Sequence, residues 1–316
     1  MLKKIVALVA VTLVITVALL AWSLTAEQLA TPEGTPEVAQ AQPNPPAELR
    51  LSILKAGYME SQEAFSFRGG EFKPFISGMA AVLVQHPLGD ILIDTGFGKD
   101  VDKHYKTIPL LMQMLAAYTK ETPAAEQLSA NGYNPSDLLG IFITHAHWDH
   151  VSGIPDFPGV PTRLPQTEVG FTESGGDATH LLRSFVDDGQ AEFLPYTFTA
   201  DPYENFDRSY DVFEDGSVVA VPLGGHTPGS VGIFVNLVSG KRYFFVGDIV
   251  WAKEGVDIPA ERPWLSRQLV DHDSQKVREA IVKLHELQEL YPELVIVPAH
   301  DRRIHEQLVQ YPATER

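Results

Sequence analysis

The stretch Thr144-His145-Ala146-His147-Trp148-Asp149-His150 constrains this chain more than any other. Three histidines and one aspartate fall within six residues, directly after the apolar run Leu138-Leu139-Gly140-Ile141-Phe142-Ile143. A short run rich in Ile and Phe, with one glycine inside it, reads as a buried strand. The cluster therefore begins where a strand ends, and strand ends on a rigid scaffold are common places for chemistry. If the backbone stays extended for two more residues, His145 and His147 project to the same side, where both imidazoles reach one metal ion. A turn after Trp148 aims Asp149 and His150 at a second ion nearby. Nitrogen and oxygen donors this densely spaced point to metal binding rather than to scattered surface residues. Imidazole with carboxylate suits zinc first, with iron or manganese as the alternatives. The chain has no cysteine, so no thiolate narrows the choice.

The beginning of the chain has a different character. Lys3 and Lys4 precede a run from Ile5 to Leu24 broken only by Thr12, Thr16 and Ser23. Twenty helical residues span about 30 Å, enough for a bilayer core. The two lysines hold the cytoplasmic side and send the rest of the chain outward. A cleavable signal peptide is the competing reading, but its apolar region is usually shorter and the cleavage signals here are mediocre. Residues 1–24 are therefore expected to be an N-terminal membrane anchor or signal peptide. Residues 25–48, with Pro32, Pro36, Pro43, Pro45 and Pro46 among Thr, Glu, Gln and Ala, are expected to be a linker. Residues 49–316 then form the catalytic domain, placed in the cell envelope outside the cytoplasm, either membrane-anchored or secreted. Without cysteine there is neither a disulfide framework nor a lipoprotein anchor. The net charge of −17 repels phosphate backbones, which disfavours nucleic acid and leaves a small molecule as the expected substrate.

Within residues 49–316 the pattern alternates strands and helices. Leu49 to Tyr58, Met79 to Val84 and Asp90 to Asp94 read as strands, the last two around a turn at Pro87-Leu88-Gly89. Ile108 to Lys120 reads as a helix opened by Pro109, and Ala124 to Ala130 as a second. Leu110, Leu111, Met114, Leu115 and Tyr118 are then core residues, or failing that the wall of a substrate pocket. Ala178 to Val186 reads as a helix. Phe193 to Tyr210 is irregular and aromatic, and could line an apolar pocket. Ser217 to Leu223, Val231 to Val238, Arg242 to Val246 and Leu294 to Val297 read as strands. Val277, Ile281, Leu284, Leu287 and Leu290 recur at helical spacing over Ser274 to Tyr291.

Four further motifs fall at strand ends. They are Ile93-Asp94-Thr95-Gly96, Gly224-Gly225-His226-Thr227-Pro228-Gly229-Ser230, Phe245-Val246-Gly247-Asp248 and Val297-Pro298-Ala299-His300-Asp301. With the HxHxDH stretch they resemble, in order, the five motifs of the metallo-β-lactamase superfamily, from about residue 50 to the end. That resemblance implies an α/β fold, a four-layered αβ/βα sandwich. It implies a first metal held by His145, His147 and His226, and a second by Asp149, His150 and His300. Asp248 bridges the two, and Asp94 supports the site without binding metal. The cofactor so implied is zinc, two ions per chain. The activity so implied is hydrolysis of a carbonyl substrate by a bridging hydroxide, with Asp149 and Asp248 as the catalytic residues. Thr144 and Thr227 stand beside the ligands and read as ordinary packing.

The members of that superfamily differ in ways that rank the substrates. β-Lactamases usually lack the bridging aspartate, flavodiiron proteins replace the second histidine by Glu, and glyoxalase II carries a helical tail after the last motif. Acyl-homoserine lactonases and related lactone or ester hydrolases fit the ligand set and length best. They commonly place a Tyr three residues after the bridging aspartate, where this chain has Trp251. The expected function is a dinuclear zinc hydrolase of a lactone or ester. The alternatives are a β-lactam, thioester or phosphoester hydrolase, and a non-catalytic binding protein tethered to the envelope.

Overall fold

The computed structural model describes the chain except for residues 1, 35, 37, 40, 41, 116 and 177 and the side chains of 2, 3, 6, 7 and 115. Eleven strands are described: β1 (Arg50–Gln62), β2 (Pro74–Gln85), β3 (Ile91–Ile93), β4 (Ala117–Lys120), β5 (Gly140–Phe142), β6 (Thr162–Arg163), β7 (Tyr210–Asp211), β8 (Val218–Pro222), β9 (Val231–Asn236), β10 (Arg242–Phe245) and β11 (Val295–Val297). They build two sheets, in the orders β4-β1-β2-β3-β5-β6 and β11-β10-β9-β8-β7.

Period-2 alternation decides how these sheets stack. Leu51, Ile53, Val82, Val84, Ile91 and Ile93 of the first sheet meet Val218, Ala220, Ile233, Val235, Tyr243 and Phe245 of the second. Their neighbours in sequence point the other way. Leu54, Leu83, Leu92 and Ile141 pack on helices bearing Leu128, Val151 and Leu182. Val219, Val221, Phe234 and Phe244 pack on Val277, Ile281, Leu284 and Leu287 of the helix Ser274–Leu290. That helix starts cleanly because the Asp273 carboxylate accepts from the Gln275 and Lys276 amides. The result is the four-layered αβ/βα sandwich. Each face buries aliphatic and aromatic side chains worth roughly 1.5–3 kcal/mol apiece.

Three expectations change. Ile108 to Lys120 is not one helix: a short helix, Leu110–Leu115, gives way to β4, which pairs antiparallel with β1 at the sheet edge. Tyr118 and Thr119 suit a strand, and β1 supplies the hydrogen bonds. The apolar pattern misled because Ile108, Met112 and Tyr118 reach the same core from different elements. Leu110, Leu111 and Met114 are 70, 45 and 74% exposed, so they are not core, and the Leu115 side chain lies outside the described residues. The aromatic stretch lines no pocket at the metal motifs. Tyr196 packs between the sheets, while Tyr203 and Phe206 pack on Phe234.

The N-terminal helix runs Leu2–Leu24, with Leu8, Leu13, Val14 and Leu19 among its exposed side chains. Judged on the described residues, no helix is long and apolar enough to cross a membrane. Parts of residues 25–48 lie against the body. The Leu29 amide donates to the Pro259 carbonyl, Ala39 bridges to Glu204, and the Asn44 amide donates to the Asp215 carbonyl. Residues 35, 37, 40 and 41 of the expected linker lie outside the described residues.

Candidate metal centre

The end of β5 delivers the first donors. After Phe142 the backbone runs on through His145 to His147, which is extended (φ −71°, ψ 153°), and then turns into the short helix Trp148–Val151. The turn places Asp149 and His150 on its first residues, as the spacing predicts. His226 comes from the loop between β8 and β9, Asp248 from the turn after β10, and His300 from the loop after β11. Gly247 makes the Asp248 turn at φ 54°, and a Cβ there would stand 3.0 Å from Thr144. A larger residue would thus be strained in backbone and in packing at once.

The structure brings all seven predicted donors together. His145, His147 and His226 form one group, and Asp149, His150 and His300 form a second; in each, one donor atom per residue lies within 4.8 Å of the others. Asp248 faces both groups. Its Oδ1 lies 3.0 Å from His300 Nε2 and 3.2 Å from His150 Nε2, and its Oδ2 lies 3.5 Å from His226 Nε2. His145 Nε2 is buried without a hydrogen-bond partner, and the close approaches of His150 Nε2 and Asp248 Oδ1 lack hydrogen-bond geometry. Buried polar atoms are rarely left so, and a mixed imidazole–carboxylate set around such atoms fits divalent cations.

Electrostatics agree with that fit. Burial, reinforced by neighbouring imidazoles, holds His145 and His147 far below the ordinary histidine value. Burial pushes His150 and His300 down too, but carboxylates outweigh it and hold both above that value: Asp94 and Asp248 at His150, Asp248 at His300. Burial raises Asp248, and His300 and His150 overcome this to keep it well below the usual carboxylate range. The site is thus desolvated throughout, with the influence of its carboxylates strongest around His150 and His300.

Behind the donors stands a ring of polar groups that orients them. Asp94 accepts from the Thr144 amide at 2.7 Å, from the Thr144 hydroxyl at 2.9 Å and from His150 Nδ1 at 2.8 Å. It does so from a left-handed backbone (φ 52°), which for a non-glycine residue marks a functional constraint. His300 Nδ1 donates to the Gly78 carbonyl on β2 at 3.0 Å, and His226 Nδ1 to Asp271 at 3.0 Å. Trp251 donates its indole N–H to Asp248 Oδ2 at 2.9 Å. Thr227 and Thr144 do more than pack, since both hydroxyls bond buried carboxylates.

Sequence reasoning missed three of these supports. Glu168 is fully buried and accepts from the Ala146 amide, the Thr227 hydroxyl and the Gly229 amide, tying the His145–His147 loop to the His226 loop. Burial raises its carboxyl. Asp271 and Arg262 form a buried ion pair beside His226. Burial would raise Asp271, but the Arg262 cation holds it below the usual carboxylate value. None of the three lies in a motif, and no spacing signal marks them.

A cleft opens onto His147, Asp149, His226, Asp248, Trp251 and His300. Its walls are apolar: Met59, Met79, Ile108, Met112, Leu269 and Val270.

Clustered imidazoles and carboxylates at the open edge of a two-sheet sandwich define a metal-dependent hydrolase. Residues 80–300, more than half of the chain, match the metallo-beta-lactamase superfamily, and the chain belongs to that family. It is 28% identical over 233 residues to a probable metallo-hydrolase of Mycobacterium tuberculosis, covering 70% of this chain and 73% of the relative. It is 24% identical over 216 residues to the N-acyl homoserine lactonase AttM of Rhizobium radiobacter, covering 65% and 77%. Among solved structures it is similar to an N-acyl homoserine lactone hydrolase with N-hexanoyl-L-homoserine bound at its catalytic metal centre. The TM-score is 0.66 at 18% identity, covering 84% of this chain and 98% of that one. It is also similar to AidC, a dizinc quorum-quenching lactonase, with a TM-score of 0.55 at 16% identity, covering 89% and 93%. At these identities the structural likeness speaks for the fold alone.

Proposed function

We propose that the chain is a dinuclear zinc hydrolase that opens the ester bond of a neutral lactone or acyl ester. The observation that carries this reading is Asp248, whose carboxylate faces both donor groups on the floor of an apolar cleft. In it, His145, His147 and His226 would hold one ion and Asp149, His150 and His300 the other, with the Asp248 carboxylate facing both. Bound there, the ions supply a water acidified to a pKa of about 7 and a Lewis acid for the carbonyl oxygen. The residues supply the rest. Asp149 lines the cleft floor and is placed to hold a proton and return it to the leaving alkoxide. The Met and Leu walls exclude water and receive an apolar acyl group. The acidic chain repels phosphodiesters.

Trp251 distinguishes this site from one with a tyrosine there. Its only polar side-chain hydrogen is already given to Asp248, so it offers no hydroxyl to the substrate. Loss of one such donor costs about 10²–10³ in turnover. Lactone hydrolysis is therefore expected to be slow, and Trp251→Tyr to raise it. The test is a hydrolase panel of lactones, aryl esters, thioesters, phosphodiesters and a β-lactam, run with metal content measured on the same samples. A wide preference for phosphodiesters or β-lactams would overturn the substrate assignment.

We also propose that residues 1–24 export the chain, as anchor or signal, and that the catalytic part works outside the cytoplasm. Support comes from Lys3 and Lys4 ahead of an apolar run. A reporter fused after Arg316 and active only in the cytoplasm would contradict it.

A further inference from the structure

One buried cation reaches the first donor group and the shared Asp248 from behind. Arg262 lies just before the helix Trp264–Val270, and its side chain is 1% exposed. Its Nη1 donates to the Asp248 backbone carbonyl at 2.6 Å and to that of Ile249 at 3.2 Å. Its Nη2 pairs with Asp271 Oδ1, the oxygen that accepts from His226 Nδ1. The guanidinium lies over the Trp251 ring, 4.8 Å from its centroid, and that indole donates to the Asp248 carboxylate. Three routes therefore run from one side chain into the centre: to His226 through Asp271, to Asp248 through its own peptide, and to Asp248 again through Trp251.

We propose that Arg262 is the positioning residue of the metal centre, setting with one rigid group the orientation of His226 in the first donor set and of the bridging Asp248. The proposal rests on the reading of His226 and Asp248 as metal ligands. The chemistry of the side chain supports it. A guanidinium is planar and offers five donors in a fixed fork, so it can hold a peptide carbonyl and a carboxylate at a set angle while stacking on an indole. A lysine ammonium is a point charge on a flexible stem and cannot do all three. Burying a guanidinium is costly unless every contact is good, so a sequence that needed only packing here would be served by an apolar side chain. Fixing the far nitrogen of a ligand imidazole selects the tautomer that turns the other nitrogen to the metal.

The test uses the full-length protein, loaded with zinc for affinity by competition with a chromophoric chelator and with cobalt for its visible spectrum. Wild type is compared with Arg262→Lys, Asp271→Asn and Arg262→Ala, the last with and without methylguanidinium. Loss of such a support typically weakens metal binding about 10–100-fold. Arg262→Lys and Asp271→Asn are expected to weaken one of the two ions by that factor and to shift the cobalt spectrum. Methylguanidinium is expected to restore both readouts in Arg262→Ala, which a merely structural role would not allow. Where Arg262→Ala fails to fold, Arg262→Lys decides. If Arg262→Lys binds both ions with wild-type affinity and spectrum, the proposal is overturned. If the wild type binds fewer than two ions, the ligand assignment falls first and the Arg262 proposal with it.

Discussion

The two donor groups are built to different electrostatic plans. His145, His147 and His226 are all imidazoles, two of them held far below the ordinary histidine value by burial. Behind them stand Glu168 and the Asp271–Arg262 pair. Asp149, His150 and His300 include a carboxylate, and their imidazoles are held above the ordinary value by Asp94 and Asp248. In the first group burial keeps His145 and His147 in the neutral form that ligates. The other is a charged set in which protons and metal compete for the same nitrogens. The position that contains His145 and His147 should therefore be the more persistent of the two.

Four experiments test that contrast. The largest effect belongs to the residue the groups share: Asp248→Ala is expected to reduce hydrolysis to background, because both groups lose their common carboxylate. Measurable turnover with two ions still bound would remove Asp248 from the bridging position. Next, His226→Ala and His300→Ala are expected each to lower bound zinc from about two ions per chain to about one, but at different positions. Cobalt spectra of the two variants should differ; identical spectra would merge the groups into one site. A smaller effect is expected from Asp94→Asn, which keeps a residue tolerant of the left-handed backbone but removes the charge behind His150. It should weaken the second position about 10–100-fold and leave the first alone. Equal weakening at both positions would contradict separate support. The mildest perturbation is acid. His150 and His300 are raised, so they take protons at a higher pH than His145 and His147, which are lowered. As pH falls from neutral, the Asp149–His150–His300 position should empty first. Metal content after dialysis at stepped pH reads this directly, and simultaneous loss of both ions would refute it.

Four of the seven donors were legible in the sequence because their spacing is local, whereas His226, Asp248 and His300 were read from the resemblance to a family. Two extended residues put His145 and His147 on one side, and one turn presents Asp149 and His150; no tertiary knowledge is needed. Stretches such as Leu49 to Tyr58 and Val231 to Val238 were likewise legible as strands. What failed to show were single polar residues whose role depends on packing. Glu168 reaches Ala146 across 22 positions and Asp271 reaches His226 across 45. Read alone, each is an ordinary charged residue expected to face solvent. The strand β4 was hidden for a related reason: its hydrogen bonds come from β1, about 60 residues earlier in the chain, and its four residues carry too little pattern to overrule a neighbouring helix.

The Gly78 carbonyl, which holds His300 from β2, has a consequence for how the molecule comes apart. It links a ligand of the second sheet to the backbone of the first, and a Cβ at Gly78 would come within 2.6 Å of His305 Nδ1, so the two sheets meet there without slack. An ion bound to donors from both sheets is then a cross-link between the halves, and its binding free energy is linked to unfolding by mass action. Free metal at a thousand times its dissociation constant stabilises a site by about 4 kcal/mol. Chelation should therefore lower the temperature at which the whole sandwich melts, and loading should make that temperature depend on metal concentration. The sheets should then part more easily once the metal leaves, and metal availability should help set how long the folded protein survives.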